Sequence, residues 1–321
     1  MPPALPSNLR LFAPRFGAAL GTRVAQALGT KLSPVEERNF DGGEQKMRPL
    51  EDVEGCDVFV VSSLDGDGEL SANDKLCRLL FFIGALKDAG AAKVTACVPY
   101  LCYARKDRRT HPGDPVSTRY VAAMFEAVGT HCVVTIDVHN EAAFDNAFRL
   151  RTVRIDSAEL FTSALANAVD VSRCVVVSPD IGGVKRAQRL REALASSFKH
   201  EVGFAFMEKR RFEGVVSGDA LIGDVADRDL VIHDDMIVSG GTIARATRAA
   251  RAAGARKIVV AAAHAPLTAE ARQLFDKSGP DLILISDAVT LPKEFAGASQ
   301  FRVCGCAEVL AKTIRHLAIR G

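Results

Sequence analysis

No stretch of this 321-residue chain approaches the ~18 consecutive apolar residues of a membrane-spanning helix. Its opening, MPPALPSNLRLFAPRFG, has neither the long apolar core nor the cleavage pattern of a secretory leader. A bilayer is therefore not an expected partner, and a cytoplasmic location is the default expectation. Nor does one charge dominate: 41 Lys and Arg stand against 39 Asp and Glu, and the resulting net charge of +2 gives no reason to expect nucleic acid as a partner. Cys-x-x-Cys pairs are missing too. The eight cysteines sit mostly inside apolar runs and Cys304-Gly-Cys306 is the only close pair, so they read as small core residues of a protein in a reducing compartment. No Pro-, Gly- or Ser-rich linker divides the chain, so its domains are expected to pack rather than swing freely.

What is present is an ordinary globular composition, 48% hydrophobic and 25% charged, over a length that allows two compact cores. Short apolar runs at 57–62, 93–98, 132–136, 174–177, 230–232, 257–262 and 282–285 are separated by helical patterns near 72–89, 117–128, 183–196, 242–253 and 268–276. Alternation of this kind predicts an α/β chain with mainly parallel sheets covered by helices. AGAAKVTACV (89–98) and AGARKIVVAA (253–262) share a helix-ending Ala-Gly, a Lys and a following strand. Their offset is about half the chain, as two fused copies of one domain would give, although Ala-Gly is also a common helix stop.

The densest chemistry lies in LVIHDDMIVSGGT (230–242). An apolar strand leads into paired carboxylates, Asp234 and Asp235, and then into a small-residue turn before a helix. The backbone N–H groups of Ser239, Gly240, Gly241 and Thr242 suit phosphate oxygens, with the helix dipole favouring an anion, while the two acids suit sugar hydroxyls. Taken alone, the segment also reads as a tight strand-to-helix turn with a Ser or Thr cap and two solvated acids. VVVSPDIGGVKRAQRLREAL (175–194) repeats the layout: apolar strand, acid, paired glycines, amphipathic helix.

With these segments PYLCYARKDRR (99–109), TIDVH (135–139), SPDIGG (178–183), EKRR (208–211) and LIGDVADRDLVIHDDMIVSGGT (221–242) stand in one order along nearly the whole chain. In that order they resemble the ribose-phosphate pyrophosphokinases, also called phosphoribosyl-pyrophosphate synthetases. The resemblance implies two tandem phosphoribosyltransferase-like domains, each a mainly parallel sheet flanked by helices, with the active site between them. The boundary is expected near 150–152, giving residues 1–150 on the ATP side and 151–321 on the ribose 5-phosphate side, the final helix (307–319) crossing back onto the first domain.

The resemblance also implies the reaction: transfer of the diphosphoryl group of ATP to the C1 hydroxyl of ribose 5-phosphate, releasing AMP. Lys209 and Arg211, in a basic loop that without context reads as merely solvated, become the groups that stabilise charge on the phosphoryl oxygens. Asp234, Asp235, Ser239, Gly240, Gly241 and Thr242 take ribose 5-phosphate. Mg²⁺ on the triphosphate falls to His139 and Asp180, with Asp137 either orienting His139 or capping the loop. Phe40 and Glu44 meet adenine from a neighbouring subunit, and Arg105 reaches phosphates with Lys106 beside it in the ATP site. That shared nucleotide site calls for at least a dimer, and the resemblance implies a homo-oligomer, dimer or hexamer.

Departures from the family pattern are local. Gly42 replaces an acid and Lys106 an amide in the nucleotide pocket, Val238 and Ser239 replace Asp and Thr in the ribose-phosphate loop, and the segment after Arg109 is short. Serine keeps the hydroxyl, whereas valine removes an acid. Two other readings stay open: a catalytically weak or silent regulatory homologue, which these substitutions favour and the retained Lys209 loop opposes, and a phosphoribosyltransferase, which needs only one domain and no KRR.

Overall fold

The computed structural model describes residues 4–212 and 215–320, the side chains of residues 209–219 and of Ser278 excepted. The chain forms two compact units, residues 1–155 with 306–321, and residues 156–305.

Unit 1 begins with β1 (Leu9–Phe12), α1 (Ala18–Leu28) and a ribbon of β2 (Val35–Asn39) and β3 (Gln45–Pro49). There follow β4 (Asp57–Val61), α2 (Ala72–Asp88), β5 (Lys93–Cys97), α3 (Ser117–Ala127), β6 (Cys132–Ile136), α4 (Glu141–Ala147) and β7 (Arg151–Ile155). Its main sheet is parallel throughout, in the order β1-β4-β5-β6-β7. β6 is buried at every position, as expected of a parallel strand covered on both faces. One face of the sheet, through Val60, Val94 and Val133, packs against Leu79, Ile83 and Phe125 of α2 and α3. α2 starts at a reciprocal cap in which Ser71 and Asp74 satisfy each other's backbone N–H groups. The division falls after Ile155, later than the 150–152 expected from sequence, because all five residues of β7 pair with β6.

Unit 2 comprises α5 (Ala158–Ala166), β8 (Cys174–Ser178), α6 (Val184–Phe198), β9 (Gly203–Phe212), β10 (Val215–Ile222), β11 (Asp229–Met236), α7 (Gly241–Ala252), β12 (Lys257–His264), α8 (Ala269–Ser278), β13 (Leu282–Ser286) and β14 (Phe301–Cys304). Its sheet order is β10-β9-β8-β11-β12-β13-β14, parallel except for the β9–β10 hairpin. The chain ends with α9 (Ala307–Arg320), which belongs to unit 1 and packs against α1. Leu310, Ile314 and Leu317 of α9 are buried, and the Arg315 guanidinium donates to the Leu28 carbonyl at 2.9 Å. That carbonyl is among the last of α1, which the helix itself leaves unsatisfied.

The internal similarity has a structural counterpart. Gly90 after α2 and Gly254 after α7 both adopt positive φ (86° and 83°), and each turn leads directly into a parallel strand, β5 or β12. Both turns need a left-handed residue to end the helix, which glycine takes at no steric cost.

Six of the eight cysteines are buried and all are free; Cys77 is exposed and Cys304 partly so. Burial pushes the Cys102 and Cys174 thiols up to about 12, which leaves them un-ionised and unreactive near neutrality. No described helix is long and apolar enough to cross a membrane.

Candidate active site

The crevice of unit 2 follows from its strand order. From β8 the chain crosses through α6 to β9 on one side, and from β11 it crosses through α7 to β12 on the other. Two adjacent parallel strands whose connections leave in opposite directions open a gap at their carboxyl ends, the place where ligands bind in open α/β sheets. Among the described residues of unit 1 the main-sheet strands are laid down in sequence order, without such a reversal.

β11 runs further than its apolar core Leu230–Ile232 suggests. Pairing with β8 stops at Ile232↔Val177, whereas pairing with β12 continues through Asp234↔Ala262 to Met236↔His264. Asp234 and Asp235 are thus held on a strand that projects past its β8 neighbour, at the edge of the gap. His233, fully buried, precedes them: its Nδ1 lies 2.9 Å from the Ala261 carbonyl, which makes Nδ1 the protonated nitrogen, and Nε2 is 3.4 Å from the Ser157 hydroxyl.

Two helix starts follow the two strand ends. After β8, the Ser178 hydroxyl donates to the Asp180 carbonyl at 2.6 Å and the Gly183 N–H donates to Asp180 Oδ1 at 2.9 Å, which closes the turn into α6. A Cβ on Gly183 would stand 2.9 Å from Ser178 Oγ, so this turn has no room for a side chain. After β11, the Ile237 N–H donates to the His264 carbonyl and the Val238 carbonyl accepts from Thr268, and the loop then enters α7 with Gly240 at the cap (φ 77°). Neither α6 nor α7 carries an acid in its first turn; the start of α6 already meets the Asp180 carboxylate through the Gly183 N–H, whereas the dipole of α7 is left for a ligand anion.

Arg186, in the first turn of α6 and 8% exposed, joins the acids. One guanidinium nitrogen is 3.0 Å from Asp235 Oδ1 and 3.7 Å from Asp234 Oδ1, and the Asp235 N–H donates to Asp234 Oδ1 at 2.9 Å. Burial, followed by the charge of Asp235 and a hydrogen bond with it, pushes Asp234 well above the usual carboxylate range against the opposing pull of Arg186. One acid of the pair therefore tends to keep its proton and act as a donor, while the other accepts. Arg186 escaped the sequence reading because it stands among Lys185, Arg189 and Arg191. Its helical spacing with Leu190 and Leu194, both buried, is the signal that places it on the inner face.

The other expected site residues lie as follows. Asp180 is exposed at the β8 turn, and Ser239, Gly241 and Thr242 are half-buried at the start of α7. The backbone of Lys209 and Arg211 lies in β9, opposite Asp219 and Val216 of β10, and their side chains fall outside the described residues. In unit 1, His139 is exposed beyond β6, and Asp137 before it adopts φ 39° and is buried. Phe40 and Glu44 are exposed and face each other across the β2–β3 turn, where the Phe40 N–H donates to the Glu44 carbonyl at 2.8 Å. Arg105 is exposed. Lys106 is 3.3 Å from Asp114, whose carboxyl the Thr110 side chain and the Thr110 and His111 N–H groups hold far below the usual range. The structure thus gathers Asp180, Asp234, Asp235 and the 238–242 loop around one crevice, and groups Phe40 with Glu44.

Residues 9–129 match the N-terminal domain of ribose phosphate pyrophosphokinase, and residues 149–292 match the phosphoribosyl transferase domain. Ribose-phosphate pyrophosphokinases of Corynebacterium efficiens and Vibrio cholerae are 33% and 34% identical to the chain, covering 98% and 97% of it and 94% and 96% of their own lengths. The crystal structure of phosphoribosylpyrophosphate synthetase from Mycobacterium smegmatis superposes with a TM-score of 0.86 at 31% identity, covering 98% of this chain and all of that one. With both domain matches in the expected order and similarity running from end to end, the chain belongs to the ribose-phosphate pyrophosphokinase family.

Proposed function

We propose that this protein transfers the diphosphoryl group of ATP to the C1 hydroxyl of ribose 5-phosphate, giving 5-phosphoribosyl 1-diphosphate and AMP. The observation that carries this reading is the unit 2 crevice, where an uncapped helix start follows paired carboxylates at a reversal of strand order. A sugar phosphate needs that pairing of an anion receptor with hydroxyl-binding acids. The 5-phosphate takes the N–H groups of Ser239 to Thr242, and the ribose hydroxyls take Asp234 and Asp235, Arg186 keeping the two acids apart in protonation.

In the transfer the C1 oxygen bonds to the β-phosphorus, the bond from that phosphorus to the oxygen bridging to the α-phosphate breaks, and AMP leaves with the electron pair. The hydroxyl proton passes to solvent. Lys209 and Arg211 neutralise the charge that grows on the phosphoryl oxygens. Arg105 makes the stronger phosphate contact of its pair, since Lys106 is already engaged by Asp114.

Mg²⁺, when bound, would supply positive charge to the triphosphate oxygens. Magnesium binds through few protein ligands plus phosphate oxygens and water. His139 and Asp180 are the protein groups proposed to reach it, Asp180 with one carboxylate oxygen fixed by the Gly183 N–H. Phe40 and Glu44, exposed at a hairpin tip, are proposed to complete a neighbouring subunit's adenine site, which makes the active form a homo-oligomer.

The test is the phosphorus NMR spectrum of the protein with ATP, Mg²⁺ and ribose 5-phosphate. AMP together with a sugar-linked diphosphate is the expected outcome. Absence of both, repeated with added inorganic phosphate, would overturn the reading in favour of a silent homologue.

A further inference from the structure

We propose that a cleft within unit 1 binds a small anion built on a flat, donor-bearing ring, with Arg15 and Arg78 taking the anionic group, Phe16 the ring and Glu69 the donor. The cleft has a volume of about 240 Å³ and is formed by four segments: the turn after β1 (Arg15, Phe16), β2 (Glu37, Asn39), the loop before α2 (Asp67, Glu69, Leu70) and α2 itself (Arg78).

Its walls are fixed from behind. Lys75, only 1% exposed, lies 3.1 Å from Asp65 and 2.8 Å from Asp67 and stands 5.9 Å from the centre of the Phe16 ring. Asp67 also accepts the N–H groups of Glu69 and Leu70 at 3.0 and 2.9 Å. The loop that carries three of the lining residues is therefore tied to α2 by a buried cation and to itself by two bonds from backbone N–H groups to the Asp67 carboxylate. On the opposite wall, the Arg15 N–H donates to Glu37 at 2.5 Å and the Arg78 guanidinium donates to the Asn39 side-chain oxygen at 3.1 Å.

This arrangement leaves particular groups for a ligand. Asp67 shares the Lys75 cation with Asp65 and Glu37 accepts the Arg15 N–H, while among the described residues no carboxylate lies within ion-pair distance of the guanidinium of Arg15 or Arg78, Asp74 one turn earlier on α2 being the acid that feels the Arg78 charge. Guanidinium groups bind carboxylate or phosphate through a fixed fork of donors. Phe16 is partly exposed beside them and presents an aromatic surface for stacking, and Glu69 is exposed with no partner among the described residues. Two arginines, a ring and the carboxylates of Glu37, Asp67 and Glu69 suit an aromatic molecule that carries an anionic group at one end and an amino or hydroxyl donor at the other. Asn39 is followed by Phe40, so occupancy of the cleft should also change the KM for ATP. That second consequence rests on the role proposed above for Phe40, whereas the binding itself does not.

The experiment is calorimetric titration of the full chain with 4-aminophenyl phosphate and with 4-aminobenzoate, which separates phosphate from carboxylate as the preferred anion. Saturable binding of either, weakened at least about tenfold in Arg15→Gln and in Arg15→Gln/Arg78→Gln and weakened in Glu69→Gln, is the expected result. Phosphate captured by the unit 2 crevice would be equal in all variants and is thereby subtracted. Failure of the native chain to bind either probe, or equal binding by the Arg15→Gln variant, would overturn the proposal. Arg15 is exposed in a short turn, so that variant keeps the test valid even where Arg78→Gln perturbs α2.

Discussion

Two side chains carry the sharpest tests at the scale of single residues. Lys209, if it meets charge that appears only in the transition state, should lower kcat by about 10²–10³ when replaced by alanine, with little change in the KM for ribose 5-phosphate. Steady-state rates with the fold checked by circular dichroism would decide this, and normal turnover would remove Lys209 from the mechanism. Asp234 makes a prediction about stability. Its folded-state pKa is raised, chiefly by burial and by Asp235, so on raising the pH the unfolded chain gives up this proton first. Stability is therefore lost from about pH 4, the ordinary Asp value, up to the folded-state pKa, and stays lost above it. Asp234→Asn removes that loss. Its melting temperature should rise relative to the native chain between pH 4.5 and pH 8, while activity falls. A difference that does not change with pH would show that the pair is not strained by like charge. The paired acids themselves are plain in the sequence. Arg186 is not, because a basic residue on a helix reads as solvated until the buried face of that helix is known.

At the scale of elements, the loop into α7 depends on one glycine. Gly240 has φ 77°, and a Cβ there would stand 2.9 Å from the Phe275 ring of α8. Gly240→Ala therefore meets both an unfavourable backbone region and a crowded ring, at a cost of about 1–3 kcal/mol. The loop's N–H groups would be displaced as well. A urea titration should show the loss of stability, and the KM for ribose 5-phosphate should rise more than that for ATP. Equal effects on both would mean that the loop does not hold the sugar phosphate. The long central strands and the helices between them were legible as apolar runs and 3.6-residue periods. The β2–β3 ribbon was not: VEERN and QKMRP contain a single fully buried residue, Met47, and no alternating pattern. β11 was read too short, since Asp234 and Asp235 are poor strand formers and are held extended by β12 rather than by their own propensity.

For the molecule as a whole, the decisive feature is the return of the last helix. α9 follows unit 2 in sequence yet belongs to unit 1, where it covers α1 with Leu310, Ile314 and Leu317. Ending the chain at Gly305 would uncover the α1 face and leave the core of unit 2 complete. Limited proteolysis read by mass spectrometry should then find early cleavage in residues 1–155, with 156–305 resistant; the reverse order would contradict this division. Alternating apolar runs, the repeated Ala-Gly turns and the ordered motifs were enough by themselves to determine a doubled α/β chain of this family. They do so because strand and helix formation and the N–H groups at a helix start depend on residues close together in the chain. The strand reversal at β8 and β11, the burial of Arg186 beside two acids and the cleft backed by Lys75 were decided only by tertiary structure. Each joins residues distant in sequence, and which of them meet is set by how the sheets pair and pack.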